Sequence, residues 1–157
     1  MKYILSIVAA LILSGCGHVL PDQHPVMDVP FENDVQEEIT LSSFDTPLVV
    51  NAWASWCEFC KRELPDFISL TDQYPDITFV AINRGESAEA ASDYIATIAD
   101  NEALTWLRDP DDDFYKAIGG FAMPETIFVS KEGKILLHKR GFMTKDQMTD
   151  IINEHLN

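Results

Sequence analysis

The chain has 157 residues, 46% of them hydrophobic, and carries a formal net charge of -15 at pH 7. This length is typical of one domain, and the hydrophobic fraction is enough for a buried core that needs no support from disulfides. The negative charge argues against nucleic-acid binding, which requires a basic surface. Because the acidic residues are scattered along the chain, the charge indicates a well-solvated surface.

Residues 1–15 have the pattern of a signal peptide. Lys2 precedes an apolar stretch from Ile4 to Leu13, which is shorter than the ~20 residues of a membrane-spanning helix. The sequence LSGC, ending at Cys16, resembles a bacterial lipobox, and this resemblance implies cleavage before Cys16 and attachment of lipid to it. The alternative is a soluble secretory signal in which Cys16 occurs by chance. We therefore expect an extracytoplasmic protein, in the periplasm or on the outer face of a membrane, anchored by lipid on Cys16.

Residues 16–30 are predicted to be the lipidated cysteine and a flexible tether. The stretch from Gly17 to Pro30 contains three prolines and shows neither helical nor strand periodicity. The folded domain is predicted to span residues 31–157, where strand-like and helix-like segments alternate.

Short apolar segments bounded by turn residues predict strands at residues 37–41, 47–53, 76–83, 104–109, 125–130 and 134–140. Helices are predicted at residues 57–74, 87–99, 111–120 and 144–156. Pro65 lies inside the first helix, and we expect a kink there because proline cannot donate a backbone hydrogen bond. Thr144 and Gln147 have the spacing of a capping box. This order predicts an α/β fold, with a central mixed β-sheet flanked by helices on both faces.

Cys57 and Cys60 lie three positions apart, between a predicted buried strand and a predicted helix, and the only other cysteine is Cys16. A zinc site needs four ligands, and a disulfide staple stabilises chiefly by closing a long loop, so neither explains this spacing well. A copper site could combine two thiols with a histidine. His138 is the only histidine of interest in the folded part, and nothing in its local sequence positions it, so no metal site is predicted.

Thiol–disulfide exchange explains the placement of the pair better. The first turn of a helix has free N–H groups and a partial positive charge, which stabilise a thiolate on Cys57. Cys60, one helical turn further, can attack the mixed disulfide that Cys57 forms with a partner and release that partner. A CxxC pair at a strand-to-helix junction is therefore a strong indication of a redox couple.

The segment VVNAWASWCEFCKRELP resembles the thioredoxin superfamily, specifically the TlpA/ResA-type membrane-tethered thiol–disulfide oxidoreductases. The resemblance extends from about Val35 to the C-terminus and implies a thioredoxin-like fold. Phe59 departs from the family, where proline is common at that position, and this difference affects the expected reduction potential rather than the fold. The matching residues are Trp56 before the pair, Asn51 in place of the buried aspartate of thioredoxin, Glu63 and Pro65 after the pair, and Met123-Pro124 at the cis-proline of the family.

Glu63 is three residues beyond Cys60 and therefore lies on the same helix face. Asn51 cannot relay a proton, so the resemblance implies that Glu63 is the base that deprotonates Cys60. The alternative is an exposed glutamate paired with Lys61 or Arg62.

Pro124 is expected to follow a cis peptide bond that brings the backbone of Met123 beside Cys57, where an extended partner segment can pair with it. The alternative is an ordinary turn proline. We also expect an apolar rim that binds partners, although each of its residues could equally be part of the core: Trp56, Phe59, Phe121 and Met123.

The expected activity is reduction of partner-protein disulfides, after which a transmembrane or soluble thiol donor restores the dithiol. No small-molecule cofactor is expected. On the resemblance alone, cytochrome c maturation is one pathway that it implies. The alternatives are a disulfide-donating oxidase, a thiol peroxidase, and a non-catalytic binding or copper-carrier module. A peroxidatic cysteine normally follows a Pro-x-x-x-Thr/Ser-x-x pattern, and the sequence before Cys57 lacks that proline.

Overall fold

The computed structural model describes residues 25–156, in which seven strands form one mixed sheet. The strands are β1 Phe31–Glu32, β2 Glu38–Ile39, β3 Leu48–Trp53, β4 Thr78–Arg84, β5 Thr105–Asp109, β6 Glu125–Val129 and β7 Ile135–Arg140. Their spatial order in the sheet is β2-β1-β5-β4-β3-β6-β7. Strands β3, β4 and β5 are parallel to one another, whereas β6 is antiparallel to β3 and to β7. Strands β1 and β2 form a short antiparallel pair beside β5.

Helices cover both faces of this sheet, as the sequence predicts. Strand β3 is buried along its whole length, and its consecutive residues Val49 and Val50 belong to two separate core clusters, one on each face of the sheet. The helices are α1 Glu58–Thr71, α2 Ala88–Ile95, α3 Asp113–Ala117 and α4 Lys145–His155. The cluster that contains Val49 includes side chains of α1, α2 and α4, and the cluster that contains Val50 includes side chains of α3 and of the 3-10 helix at Pro25–Asp28.

Helix α1 begins directly after Cys57 and places the cysteine pair at one end of the sheet. Its buried side chains, which include Leu64 and Phe67, face the sheet. The helix continues through Pro65, whose side chain is exposed, and ends at Thr71 rather than at the predicted Tyr74. The capping box of α4 is confirmed: Thr144 accepts a hydrogen bond from the backbone of Gln147, whose side chain accepts one from the backbone of Thr144.

The predicted tether is wrong from residue 25 onward. Val26 and Met27 are 0% and 2% exposed and pack in the same core cluster as Leu41, so these residues belong to the folded domain. The apolar pair is buried because it covers one face of the sheet, which the local proline pattern does not reveal. The predicted signal peptide and the predicted lipidation site, Cys16, lie outside the described residues. Among the helices of residues 25–156, none has both the length and the apolar character required to span a membrane.

Candidate active site

Cys57 and Cys60 form a disulfide at the N-terminus of α1, with their Cα atoms 5.2 Å apart. Cys57 is the N-cap residue, and its Sγ accepts a hydrogen bond from the backbone N–H of Cys60 at 3.1 Å. Cys57 is 5% exposed and Cys60 is 0% exposed. Because an attacking thiolate needs both access to its partner and stabilising N–H groups, this geometry favours Cys57 as the sulfur that meets the partner first.

The turn before Cys57 is held by a carboxylate from the loop that follows β4. Glu86 accepts hydrogen bonds from the backbone N–H of Ser55 at 2.7 Å, from the Ser55 hydroxyl at 2.5 Å, and from Asn83 at 2.6 Å. Burial raises the pKa of Glu86, but these hydrogen bonds outweigh burial and leave its pKa below the ordinary value. Glu86 is therefore ionised at neutral pH and fixes the turn that presents Cys57.

Glu63 lies one helical turn beyond Cys60 and is 1% exposed, so it is not the exposed, ion-paired glutamate of the alternative interpretation. Its Oε1 accepts a hydrogen bond from the Asn51 amide at 2.8 Å, and its Oε2 accepts one from the backbone N–H of Met143 at 2.5 Å. Burial raises the pKa of Glu63 to about 7, although both hydrogen bonds oppose the shift. Near neutral pH this carboxyl group can therefore both accept and release a proton.

The Met123–Pro124 peptide bond is cis, as the resemblance implies. Pro124 is buried, and its carbonyl accepts a hydrogen bond from the backbone N–H of Gly141 at 2.8 Å. Thr126, two residues further, is bound by the same Asn51 amide that binds Glu63, at 2.9 Å. The start of β6 and helix α1 are thus joined through one asparagine on β3.

Three of the four expected rim residues are exposed: Trp56 is 61% exposed, Phe59 54% and Phe121 88%. Met123 is only half-buried and packs against both core clusters. The Phe59 ring lies 6.3 Å from that of Phe142, and the Arg62 guanidinium covers both rings. Exposed aromatic side chains of this kind are typical of protein-binding surfaces.

Sequence reasoning missed two carboxylates near the site, Glu86 and Glu125. Glu125 directly follows the cis-proline, is 0% exposed, and has its Oε2 2.6 Å from Nε2 of His138. A charged residue at the start of the buried, apolar strand β6 indicates a buried polar cluster, because a buried charge needs hydrogen-bond or ion-pair partners. Within residues 25–156, no group of three or more His, Cys, Asp or Glu side chains is placed to hold a metal ion.

The fold and the Cys57–Cys60 disulfide define a thioredoxin-like thiol–disulfide oxidoreductase. A family model described as AhpC/TSA family matches residues 21–138, and the chain belongs to that family. The relatives described below confirm the resemblance to the TlpA/ResA type.

The chain is 25% identical to the sporulation thiol-disulfide oxidoreductase A of Bacillus subtilis over 123 residues, which cover 75% of this chain and 73% of the relative. It is 28% identical to the thiol-disulfide oxidoreductase ResA of Bacillus subtilis over 106 residues, covering 66% of this chain but only 58% of that relative's length. Among solved structures, the exposed lipoprotein thioredoxin Etrx1 of Streptococcus pneumoniae superposes with a TM-score of 0.70 at 26% identity, covering 80% of this chain and 98% of that one.

Proposed function

We propose that the reduced Cys57–Cys60 pair reduces disulfides of partner proteins outside the cytoplasm. The observation that carries this proposal is the arrangement of three groups along α1. Cys57 caps the helix, the Cys60 sulfur bonded to it is fully buried, and one turn further the buried Glu63 has a pKa of about 7. These groups supply a nucleophile, a resolving thiol and a proton acceptor in sequence.

The proposed exchange proceeds in two steps. The Cys57 thiolate attacks one sulfur of the partner disulfide, forming a mixed disulfide, and the other partner sulfur leaves as a thiolate. Cys60 then loses its proton to Glu63 and attacks the Cys57 sulfur, which breaks the mixed disulfide and releases the partner as a dithiol. Two electrons pass to the partner, Cys57 and Cys60 are left as a disulfide, and a dithiol donor reduces them again.

The charges around the pair support the reducing direction. Glu58 stands between the cysteines, Glu63 follows Cys60 by three positions, and Glu86 accepts a hydrogen bond from the backbone of Ser55, two residues before Cys57. Negative charge disfavours a thiolate, and destabilising the reduced form makes a couple more reducing. Lys61 offsets part of this effect through its ion pair with Glu58 at 2.9 Å.

The reduction potential of the Cys57–Cys60 couple tests this direction. We expect a value near that of thioredoxin, about -270 mV, measured by equilibration with a dithiol of known potential. A value near about -120 mV, which is typical of a strong periplasmic oxidant, would instead assign the chain as a disulfide donor.

The proposed location is the outer face of a membrane, with Cys16 as the lipid anchor. The support is the LSGC sequence after an apolar stretch, together with the similarity to Etrx1, which is itself described as an exposed lipoprotein. We expect Cys16→Ser to release the protein from the membrane fraction and to leave its rate of disulfide exchange within about twofold, because Cys16 lies 41 positions before Cys57 in the sequence. Fractionation and an exchange assay measure the two effects. Loss of exchange in a folded Cys16→Ser protein would contradict an anchoring role.

Cytochrome c maturation is the pathway that the resemblance suggests for this activity. Its substrates carry C-x-x-C-H haem-attachment sites, so a peptide containing an oxidised C-x-x-C-H sequence is the direct probe. Failure of the reduced protein to open that disulfide, while it reduces other protein disulfides, would exclude this pathway.

A thiol peroxidase is the second candidate because of the family to which the chain belongs. The two peroxidatic motif positions before Cys57 are held by Val50 and Ala54, both fully buried apolar residues. Neither can place a hydroxyl group beside the sulfur, so we expect hydrogen peroxide consumption to remain at the level of a free thiol.

A further inference from the structure

The guanidinium of Arg62 lies over two aromatic rings next to the cysteine pair. Its Cζ is 5.6 Å from the centre of the Phe59 ring and 5.1 Å from that of the Phe142 ring. Phe59 stands between the two cysteines in the sequence, and Phe142 comes from the segment just before α4. These two rings, called the aromatic seat below, therefore hold an exposed cation on the surface that surrounds the disulfide.

Arg62 differs from the other arginines because it forms no ion pair with a carboxylate of residues 25–156. The other three arginines in that part of the chain each have such a partner: Arg84 pairs with Asp112, Arg108 with Glu32 and Arg140 with Glu125. Asp66, four positions further along α1, has the spacing of a helical ion pair, yet the guanidinium of Arg62 is turned toward the aromatic seat instead. Its charge is thus left available for a ligand, although the chain has 26 acidic residues.

The stacking of Arg62 on the aromatic seat leaves its N–H groups free for a ligand in the plane of the guanidinium. A carboxylate fits that edge with two parallel hydrogen bonds, whereas a neutral amide binds it less strongly and an ammonium group is repelled. Because the aromatic seat already fixes the guanidinium, less side-chain freedom is lost when a ligand binds. We propose that Arg62 binds an acidic side chain of the partner segment that carries the disulfide. Exchange is thereby faster with disulfides flanked by Asp or Glu.

The position of Arg62 on α1 sets where this acidic side chain lies in the partner. Arg62 is five residues beyond Cys57, or ~7.5 Å along the helix axis at ~1.5 Å per residue. An extended partner segment advances ~3.3 Å per residue. The acidic residue is therefore expected two or three positions from the partner cysteine that Cys57 attacks.

The negative charges of the chain limit this attraction without cancelling it. The net charge of -15 repels an acidic partner at long range. At ~0.15 M salt, however, the screening length is only ~8 Å, so that charges in direct contact dominate. Glu58, which is also close to the disulfide, is paired with Lys61 at 2.9 Å. An approaching carboxylate therefore meets Arg62 as a cation that no acidic side chain of the described residues already binds.

This inference rests on the proposed exchange reaction, and one set of probes tests the two separately. The probes are acetylated and amidated octapeptides whose single cysteine is joined to 2-thiopyridine. They carry Glu, Gln or Lys two positions before and two positions after that cysteine. The Cys57 thiolate attacks the peptide sulfur, and thiopyridine leaves as an anion that takes up a proton and absorbs as the thione. The Cys60 thiolate then attacks Cys57, which frees the peptide as a thiolate and leaves the pair oxidised.

The experiment uses the reduced full chain with Cys16→Ser, so that Cys57 and Cys60 are the only thiols. At ~0.15 M salt we expect the Glu peptide to react about fivefold faster than the Gln peptide, the upper range for an exposed ion pair of fixed geometry. The Lys peptide should react slowest. The ratio of the Glu rate to the Gln rate should approach one at ~1 M salt. In Arg62→Gln this ratio should be one or below at either salt concentration.

Two further variants test whether the stacked guanidinium, rather than its charge alone, is responsible. Arg62→Lys keeps the charge but loses the planar fork, and it should reduce the ratio to about twofold. Phe142→Leu keeps Arg62 and removes one ring of the aromatic seat, so the ratio should fall in the same direction. A full fivefold ratio in either variant would overturn the role of the stacked guanidinium.

Lys134→Gln is the matched control, because it removes one exposed positive charge that also has no ion pair within the described part of the chain. Lys134 lies in the turn after Val129, which pairs with Leu48 at the end of the sheet opposite to Cys57. Its ratio should equal that of the parent, and a fall as large as in Arg62→Gln would overturn the proposal in favour of long-range charge. Equal parent rates with the Glu and Gln peptides, or a fastest rate with the Lys peptide, would overturn it as well. A parent that reacts with none of the probes would instead refute the proposed exchange activity.

Discussion

Cys60→Ala is expected to accumulate a stable mixed disulfide between Cys57 and partner proteins, whereas Cys57→Ala accumulates none. The reason is the difference in access between the two sulfurs. Cys57 caps α1 and retains 5% exposure, while Cys60 is fully buried in the first turn. Without Cys60 the captured partner can leave only by attack of an external thiol. Non-reducing electrophoresis followed by identification of the linked cysteine measures the outcome.

The double variant Cys57→Ala with Cys60→Ala is the control for trapping through any other thiol of the chain. Both single variants should also abolish turnover, since a complete cycle needs two sulfurs. Accumulation of partners on Cys60 in the Cys57→Ala protein would show that the order of attack is reversed.

Glu63→Gln is expected to slow resolution of the mixed disulfide by ~10²–10⁴, the usual size of general-base assistance. Capture by Cys57 should be little affected, because Glu63 is buried behind the pair and hydrogen-bonded to Asn51 and Met143. With a pKa of about 7, Glu63 becomes able to accept a proton as the pH rises through neutrality. The parent's resolution rate should therefore rise through this range, and that of Glu63→Gln should not. Single-turnover release of a captured peptide, followed from pH 5 to pH 9, provides the measurement.

The same substitution has a stability effect of known sign. The pKa of Glu63 is about 7 in the folded protein against 4.5 for an ordinary, solvent-exposed glutamate, so the folded state binds more protons between these two pH values. The stability of the parent should therefore fall as the pH rises through this range, by roughly 3 kcal/mol relative to Glu63→Gln, and stay level above it. Urea unfolding at pH 4.5 and pH 8 measures the difference. A constant difference across this range, with equal resolution rates, would show that Glu63 is a packing residue.

The central strands could be predicted from the sequence because their residues are apolar over their whole length, as in β3. The capping box of α4 was equally predictable, because its two residues act on each other within one turn. Strand β1 has only two residues, too few for any periodicity, and was not predicted, whereas the strand predicted at residues 37–41 is present but shortened to the two residues of β2. Burial of Val26 and Met27 depends on a sheet face formed by residues far along the chain, which local patterns do not show.

At the site, the spacing of Cys57 and Cys60 and their place before a helix were enough to predict the redox pair. The burial of Glu63 could not be predicted from the sequence, because its carboxylate is held by Asn51 on another element and by the backbone of Met143, which is 80 positions away. The burial of Glu125 was missed for a similar reason. In the sequence Glu125 is one more charged residue beside a turn. Only the structure shows that one of its carboxylate oxygens contacts His138 from the adjacent strand β7.

The packing of Val26 and Met27 against the domain also limits how far the domain could move from a membrane to which Cys16 anchored it. Counting from a lipidated Cys16, only residues 17–24 remain as a link, eight residues in place of the fourteen from 17 to 30. At ~3.1 Å per residue, a fully extended link of eight residues would reach ~25 Å, against ~40 Å for one of fourteen. The active site would then search a shallow zone above the bilayer. A link this short would favour reaction with electron donors embedded in the membrane and with partners held at its surface. Reaction with proteins that diffuse freely through the compartment would be disfavoured.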